Sequence, residues 1–364
     1  MNRLLRRRGV AILCTGVAVA ALVAACGNGS NSASASSGSS GSLLVSTASD
    51  RDSRLEAAAK KEGTLNWVTS FAGPVVDDII KGFEAKYPYI KVTVNRGDEG
   101  VIIPQAVQAI GANKSAGDVF EVTASGALEF KDANLLQPYK SPNDASIPAE
   151  YLVKDSSGND LLLTDRISYV SFGYNKSKVP ADAVPKTFND LLNPALKGTM
   201  AIESNTTSED WIGAVIHKMG EQQGEAFLAQ LAKQGVQQTA LSGSALMGLV
   251  ASGQYGASPS VFHNHEQQAE AKGDPVGWVP LDLAVANVGQ LGILAKAQHP
   301  ASAMLFIDYL SSDDGQKVLE KQQYTPPEAK QPFEAWVPSA DAKSAEDFNN
   351  QLKSWAALQK KYFG

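Results

Sequence analysis

Cysteine is nearly absent from this chain: its 364 residues hold two, Cys14 and Cys26. Both fall in the first 26 residues, so the body beyond them has no disulfide to staple it and must be stabilised by packing. Histidine is scarce too, with four in all, and neither an H-E-x-x-H pair nor a G-x-S-x-G elbow occurs. The motif-borne forms of hydrolytic chemistry are therefore missing. Arginine is concentrated at one end. Arg3, Arg6, Arg7 and Arg8 open the chain, Arg51 and Arg54 follow, and beyond them only Arg96 and Arg166 remain. Setting aside the first 25 residues, with four arginines and no acid, takes the formal charge from −6 to −10, which argues against nucleic acid as a partner. "GSALMG" (243–248) has the glycine spacing of a phosphate-binding loop, but Leu249 stands where lysine is required. None of the ten tyrosines is adjacent to another.

What is present begins with "ALVAACGNGSNSASASSGSSGS" (21–42) and the basic residues before it. A basic start, an apolar run from Val10 to Ala25 and a small-residue close form a secretory signal over 1–25. Gly27 to Ser42 has almost no side chain able to bury apolar surface and is predicted to be a flexible coil. Leu22 to Cys26 resembles the lipobox of bacterial lipoproteins, which implies lipid attachment at Cys26, a tether over 26–52, and anchoring to the outer face of the cell membrane or residence in the periplasmic space. The Arg6–Arg8 run leaves the export route open between the general and the twin-arginine pathways.

Beyond the tether, helical and strand patterns alternate. Helices are predicted at 53–62, 74–87, 101–112 and 125–134, and strands at 64–70, 90–94 and 118–123, which implies an α/β protein with a parallel sheet. The alternating stretch "LLLTDRISYVSFGYN" (161–175) is predicted to cross into a second domain. There the pattern resumes with a short helix at 187–194, a strand at 199–204, helices at 208–220, 221–234 and 243–252, a strand near 254–258, a helix near 262–272 and a strand at 276–280. A strand at 286–295 recrosses, and helices at 300–311, 313–322 and 344–362 follow. The resulting division is 53–165 plus about 284–322 for one lobe, 166–283 for the other, and 323–364 as a helical tail packing on both.

Ligands of open α/β sheets lie beyond the carboxyl ends of strands, near helix N-termini. That rule selects Ser70, then Arg96, Asp98 and Glu99, then Thr123 and Ser125. Downstream it selects Ser204, Thr206 and Thr207 in "SNTTSED", with Ser242 and Ser244. The same hydroxyls serve as plain helix caps. Arg96 suits either a bidentate clamp on a carboxylate or phosphate or a surface ion pair with Asp98 or Glu99. Arg166, in the crossing segment, suits a salt bridge.

"KGFEAKYPYIKVTV", "GDVFEVTASGALEFKDANLLQPY", "YNKSKVPADAVPKTFNDLLNPALKGTMAI", "AKGDPVGWVP" and "QHPASAMLFIDYLSSDDGQKVL" occur in that order. Over about residues 60–322 this resembles the extracellular solute-binding proteins of ABC importers, in the group named for its ferric-iron-binding members. The resemblance implies a two-lobe, type II periplasmic-binding fold with crossing hinge strands and a central cleft that closes on a solute. It also implies work with permease and ATPase subunits, as a monomer, with neither catalysis nor a cofactor. The iron-binding members use an adjacent tyrosine pair, and the corresponding segment here is "SPSVFHNHEQQ" (258–268). Without that pair the expected ligand is a small polar or anionic solute, with iron(III) or another metal as the alternative. A secreted hydrolase and a surface adhesion or signalling protein are the readings from other classes. Ser260, His263 and Asn287 complete the candidate ligand set, and no metal site is predicted. His263, His265 and Glu266 could suit a softer divalent ion, but histidines two apart on a helix face nearly opposite sides.

Overall fold

The computed structural model describes residues 37–364; the predicted leader and Cys26 lie outside the described residues. The chain enters through α1 (Ser37–Leu44). The tether prediction fails here at its C-terminal end, because Leu43 and Leu44 bury themselves in the core and fix the turns before them. Arg51, at the start of α2 (Arg51–Glu62), reaches Asp308 at 2.8 Å. Gly63 ends α2 at φ 67°, a left-handed conformation that costs glycine nothing.

The predicted alternation then appears. β1 (Thr64–Thr69), α3 (Gly73–Lys86), β2 (Lys91–Arg96), α4 (Glu99–Gly111), β3 (Val119–Thr123) and α5 (Ala124–Asp132) follow in order, and β1 pairs in parallel with both β2 and β3. After the short β4 (Leu136–Gln137) and β5 (Leu152–Lys154), β6 runs from Asp160 to Asn175. Next come β7 (Ala201–Glu203), α6 (Thr206–Met219), α7 (Glu221–Ala232), β8 (Gln237–Thr239), α8 (Gly243–Ala251), β9 (Ala257–Phe262), α9 (His263–Glu270) and β10 (Val276–Val279). β11 (Ala284–Leu294), α10 (Pro300–Leu310), α11 (Asp313–Lys321), β12 (Ala335–Trp336) and α12 (Ala345–Phe363) complete the chain.

The main sheet is mixed where a parallel one is predicted. Its order is β10-β6-β11-β3-β1-β2, with β9 also on β6, and β11 is antiparallel to both β3 and β6. The reason is the crossing itself: a strand that leaves one half and another that returns must run in opposite directions. The segment 187–194 forms two 3₁₀ turns in place of a helix, and the strand predicted near 254–258 starts at Ala257. β4, β5, β8 and β12, two or three residues each, carry too little periodicity to be foreseen.

Two large packing centres stand out among the five hydrophobic clusters of the described residues. One gathers Trp67, Phe71, Phe83 and Phe306, the other Phe172, Phe188, Trp211 and Trp355. β6 supplies Leu163 to the first and Phe172 to the second, and β11 supplies Ile293 and Val285 in the same way. Each long strand is therefore rooted in both cores. The C-terminal α12 presses Trp355 against α6 so closely that a Cβ on Gly213 would lie 2.8 Å from the indole. At its start, Ala345 N–H donates to Asp132 of α5 at 2.6 Å. Among the described residues, no helix is long and apolar enough to cross a membrane.

Candidate functional site

Between the two cores, where β1 and β3 end and α4, α5 and α6 begin, lies a cavity of about 490 Å³. A larger groove, about 770 Å³, lies among α3, the 142–147 loop and α11, lined largely by surface residues such as Lys86, Asp314 and Lys317. The smaller cavity is the candidate site because strand ends and helix starts from both halves converge there. Ser70, Asp98, Glu99, Thr123, Ser125, Thr206, Thr207 and Asn287, all selected from the sequence, line it.

One wall is built by β1, β3, α4 and α5. Asp98 caps α4, its Oδ1 accepting from Gly100 N–H at 2.9 Å. Glu99, the next residue, reaches across to α5. Its Oε1 accepts from Ser70 Oγ at 2.8 Å and from Thr123 N–H at 2.7 Å, and its Oε2 accepts from Thr123 Oγ1 at 2.6 Å. Thr123 Oγ1 also lies 2.9 Å from Ser125 Oγ. Gly126 makes room for this contact, since a Cβ there would stand 2.7 Å from Glu99 Oε2.

The floor is the buried centre of β6. Arg166 Nη2 donates to Glu121 Oε1 at 2.8 Å, and Thr69 Oγ1 donates to Glu121 Oε2 at 2.7 Å. The guanidinium lies over Phe71 at 4.5 Å and over Tyr324 at 5.0 Å. Asp165 is buried beside it with both carboxylate oxygens unpartnered. Burial pushes both carboxyls up, against the pull of the guanidinium. One arginine thus serves two acids, and its charge is spent within the floor.

The opposite wall comes from α6 and α9. Asn205 caps α6, its Oδ1 accepting from Thr207 N–H at 3.1 Å, and one helical turn past Thr206 stands Asp210. Asp210 Oδ1 is sealed from solvent without a partner. Burial, with repulsion from Glu209 and Glu99, pushes its carboxyl well above the usual carboxylate range. His265 Nδ1 is likewise buried and unpartnered, and burial lowers its imidazole to about 4, so it is neutral near pH 7. Ser168 Oγ donates to Asn264 Oδ1 at 2.6 Å, tying α9 to β6.

Six predicted residues stand outside this cavity. Arg96 ends the edge strand β2 on the exposed surface, its Nη1 only 3.4 Å from the Phe71 carbonyl. Ser204 Oγ turns to the Thr239 carbonyl, and Ser260 is buried in β9 where it accepts from Ser208 Oγ. Ser242 and Ser244 are exposed, and His265 packs beside the start of α8 with its Cε1 3.1 Å from where a Cβ on Gly243 would lie. His263 stacks on Trp278 at 4.4 Å. His263 and His265 thus have different surroundings, as their spacing of two predicts. The structure adds Arg166, Ser168, Asp210, Phe262, Asn264, His265 and Tyr324 to the lining. Asp210 could have been reached from Thr206 by the four-residue helical step; Tyr324, about 160 residues from β6 in sequence, left no local signal.

Comparison with known proteins places this geometry. An iron(III)-binding periplasmic protein of Serratia marcescens is 28% identical over 256 residues, 67% of this chain and 72% of the relative. The periplasmic binding protein AfuA of Actinobacillus pleuropneumoniae, solved with fructose-6-phosphate, superposes with a TM-score of 0.66 at 22% identity, over 82% of this chain and 99% of that one. Iron-bound HitA of Pseudomonas aeruginosa gives 0.64 at 19%, over 82% and 99%. The fold is that of the type II periplasmic binding proteins, two lobes about a cleft. The family model of the bacterial extracellular solute-binding proteins matches residues 116–351, and the chain belongs to that family.

Proposed function

We propose that this chain is the solute-capturing component of an ABC importer, tethered outside the cell through a lipid on Cys26, and that its cleft takes a small polar solute rich in hydrogen-bond donors. We read the lobes as about 53–165 with 284–322, and 166–283, joined by the two long strands that reach both cores. A monomer that closes these lobes on its solute and opens against a permease with its ATPase subunits needs no catalytic residue. Asp210 carries the ligand reading: an unpartnered carboxyl oxygen buried in the cleft is satisfied by a donor brought from outside. Seven hydroxyl-bearing residues and two asparagines complete a lining suited to hydroxyl or ammonium groups. In that reading Ser70, Asp98, Glu99, Thr123, Ser125, Thr206, Thr207 and Asn287 face the solute.

Native mass spectrometry of protein purified without refolding, followed by calorimetry and small-angle scattering with the solute found, tests this. A donor-rich solute should shrink the radius of gyration and, at 100 times its Kd, stabilise the protein by about 2.7 kcal/mol; binding confined to anions, or without closure, would sink it. Cys26→Ser should release the protein from the membrane or leave an unprocessed precursor, and unchanged partition with normal processing would count against the anchor. The iron reading has the Serratia relative in its favour. Against it, none of the ten tyrosines is adjacent to another, so on the polar-solute reading calorimetry with Fe(III) in a non-chelating buffer should give no micromolar binding.

A further inference from the structure

Resting on the placement of solute capture in this cleft, we propose that Glu99 is a tethered anion: its carboxylate fills an oxyanion seat and sets the chain against anionic solutes. The seat consists of Ser70 Oγ, Thr123 N–H and Thr123 Oγ1, all within 2.6 to 2.8 Å of the Glu99 oxygens. Two hydroxyls and a backbone N–H converging at a helix start are what a phosphate or free carboxylate would use. Here a side chain of the protein already uses them.

Glu99 is not needed where it is for helix capping. Asp98 performs that role on α4 with its own bond to Gly100 N–H. An acid at the first position of a helix gains the dipole interaction while pointing into water, yet this one reaches over to a second helix. The chain makes space for it with Gly126, whose Cβ would collide with Glu99 Oε2 at 2.7 Å. The opposite wall supplies an independent sign of the same preference. Asp210 Oδ1 is buried and unpartnered in the same cavity. The guanidinium in the lining, Arg166, is bound to Glu121 at 2.8 Å, and no lysine lines the cavity among the described residues. A phosphorylated or carboxylated solute would therefore meet Glu99 and Asp98 with no free positive charge to offset them. A neutral polyol or an ammonium-bearing solute meets acceptors instead.

The test uses the exported protein and inorganic phosphate, sulfate and acetate as probes, read by calorimetry and thermal denaturation. Wild type should show no phosphate binding at millimolar concentration. Glu99→Ala, which empties the seat, should bind phosphate at least tenfold more tightly than wild type, while Glu99→Gln, which keeps it filled, should gain no more than a few-fold. If Glu99→Ala is too unstable for calorimetry, acetate or phosphate should restore its melting temperature by refilling the seat. Phosphate binding by wild type as tight as that of Glu99→Ala would overturn the proposal, as would a Glu99→Ala protein that neither gains anion affinity nor is rescued by anions. A wild type that captures no solute, beside a Glu99→Ala variant that gains phosphate, would sink the capture reading and leave the tethered anion standing.

Discussion

On the α4–α5 side of the cleft, Ser70, Glu99, Thr123 and Ser125 bond to one another, whereas on the α6–α9 side Asp210 Oδ1 and His265 Nδ1 are buried without partners. Both sides start helices at strand ends and both use Thr, Ser, Asp and Asn. The first satisfies its polar groups internally and is preorganised. The second leaves them open, which costs stability in the empty state and returns it when a solute binds. Glu203 extends the contrast behind the second wall: it is buried with Oε2 unpartnered, and burial raises its carboxyl to about 7 despite the bond from Gly243 N–H.

The floor shared by both walls should give the largest effect. Arg166→Ala leaves Glu121 and Asp165 buried with no cation, and should lower stability in urea denaturation by about 3 to 5 kcal/mol. A loss under 1 kcal/mol would mean that the floor does not hold the walls. Next is the uncompensated acid behind the second wall. Because Glu203 has a folded pKa of about 7, above its unfolded value, its favourable contribution is complete below the unfolded pKa and is lost as pH rises through 7. Glu203→Gln should therefore gain stability relative to wild type as pH rises, by about 2 to 4 kcal/mol between pH 4 and pH 8. A pH-independent difference would remove Glu203 from the contrast.

A paired substitution tests the walls directly. Thr123→Val removes a 2.6 Å bond to Glu99 and should cost about 1.5 to 3 kcal/mol of stability. Thr207→Val, opposite, should leave stability within about 0.5 kcal/mol and weaken the solute instead; equal stability losses would erase the asymmetry. The smallest effects belong to Arg96→Ala and Ser244→Ala, outside the cavity, which should change solute affinity by less than about 0.5 kcal/mol. A tenfold loss for Arg96→Ala would restore the clamp reading and place the cleft elsewhere.

The first wall was legible because its signals are local. A strand end, a polar residue and a helix start follow within ten residues at Ser70–Val75, Arg96–Glu99 and Thr123–Ser125, so the rule that ligands gather at such ends needs only short-range pattern. The same rule overreached at Arg96, which ends a strand but on the sheet edge, and at Ser242 and Ser244, which start a helix on the exposed surface. Capping chemistry is the same whether a helix opens into a cleft or into solvent, and sequence does not distinguish the two.

By itself the sequence determined the alternation of elements, the long crossing strand at Asp160–Asn175 and the absence of disulfide support, because hydrophobic period and helix signals are set by neighbours a few residues away. Only the tertiary structure decided that Arg166 spends its charge on Glu121, 45 positions away, that Tyr324 closes the cavity from the far end of the chain, and that Glu99 turns from its own helix to another. Those are pairings of buried charge across long sequence separations. Their partners are chosen by which groups the packed cores bring within hydrogen-bonding distance, and no local pattern encodes that distance.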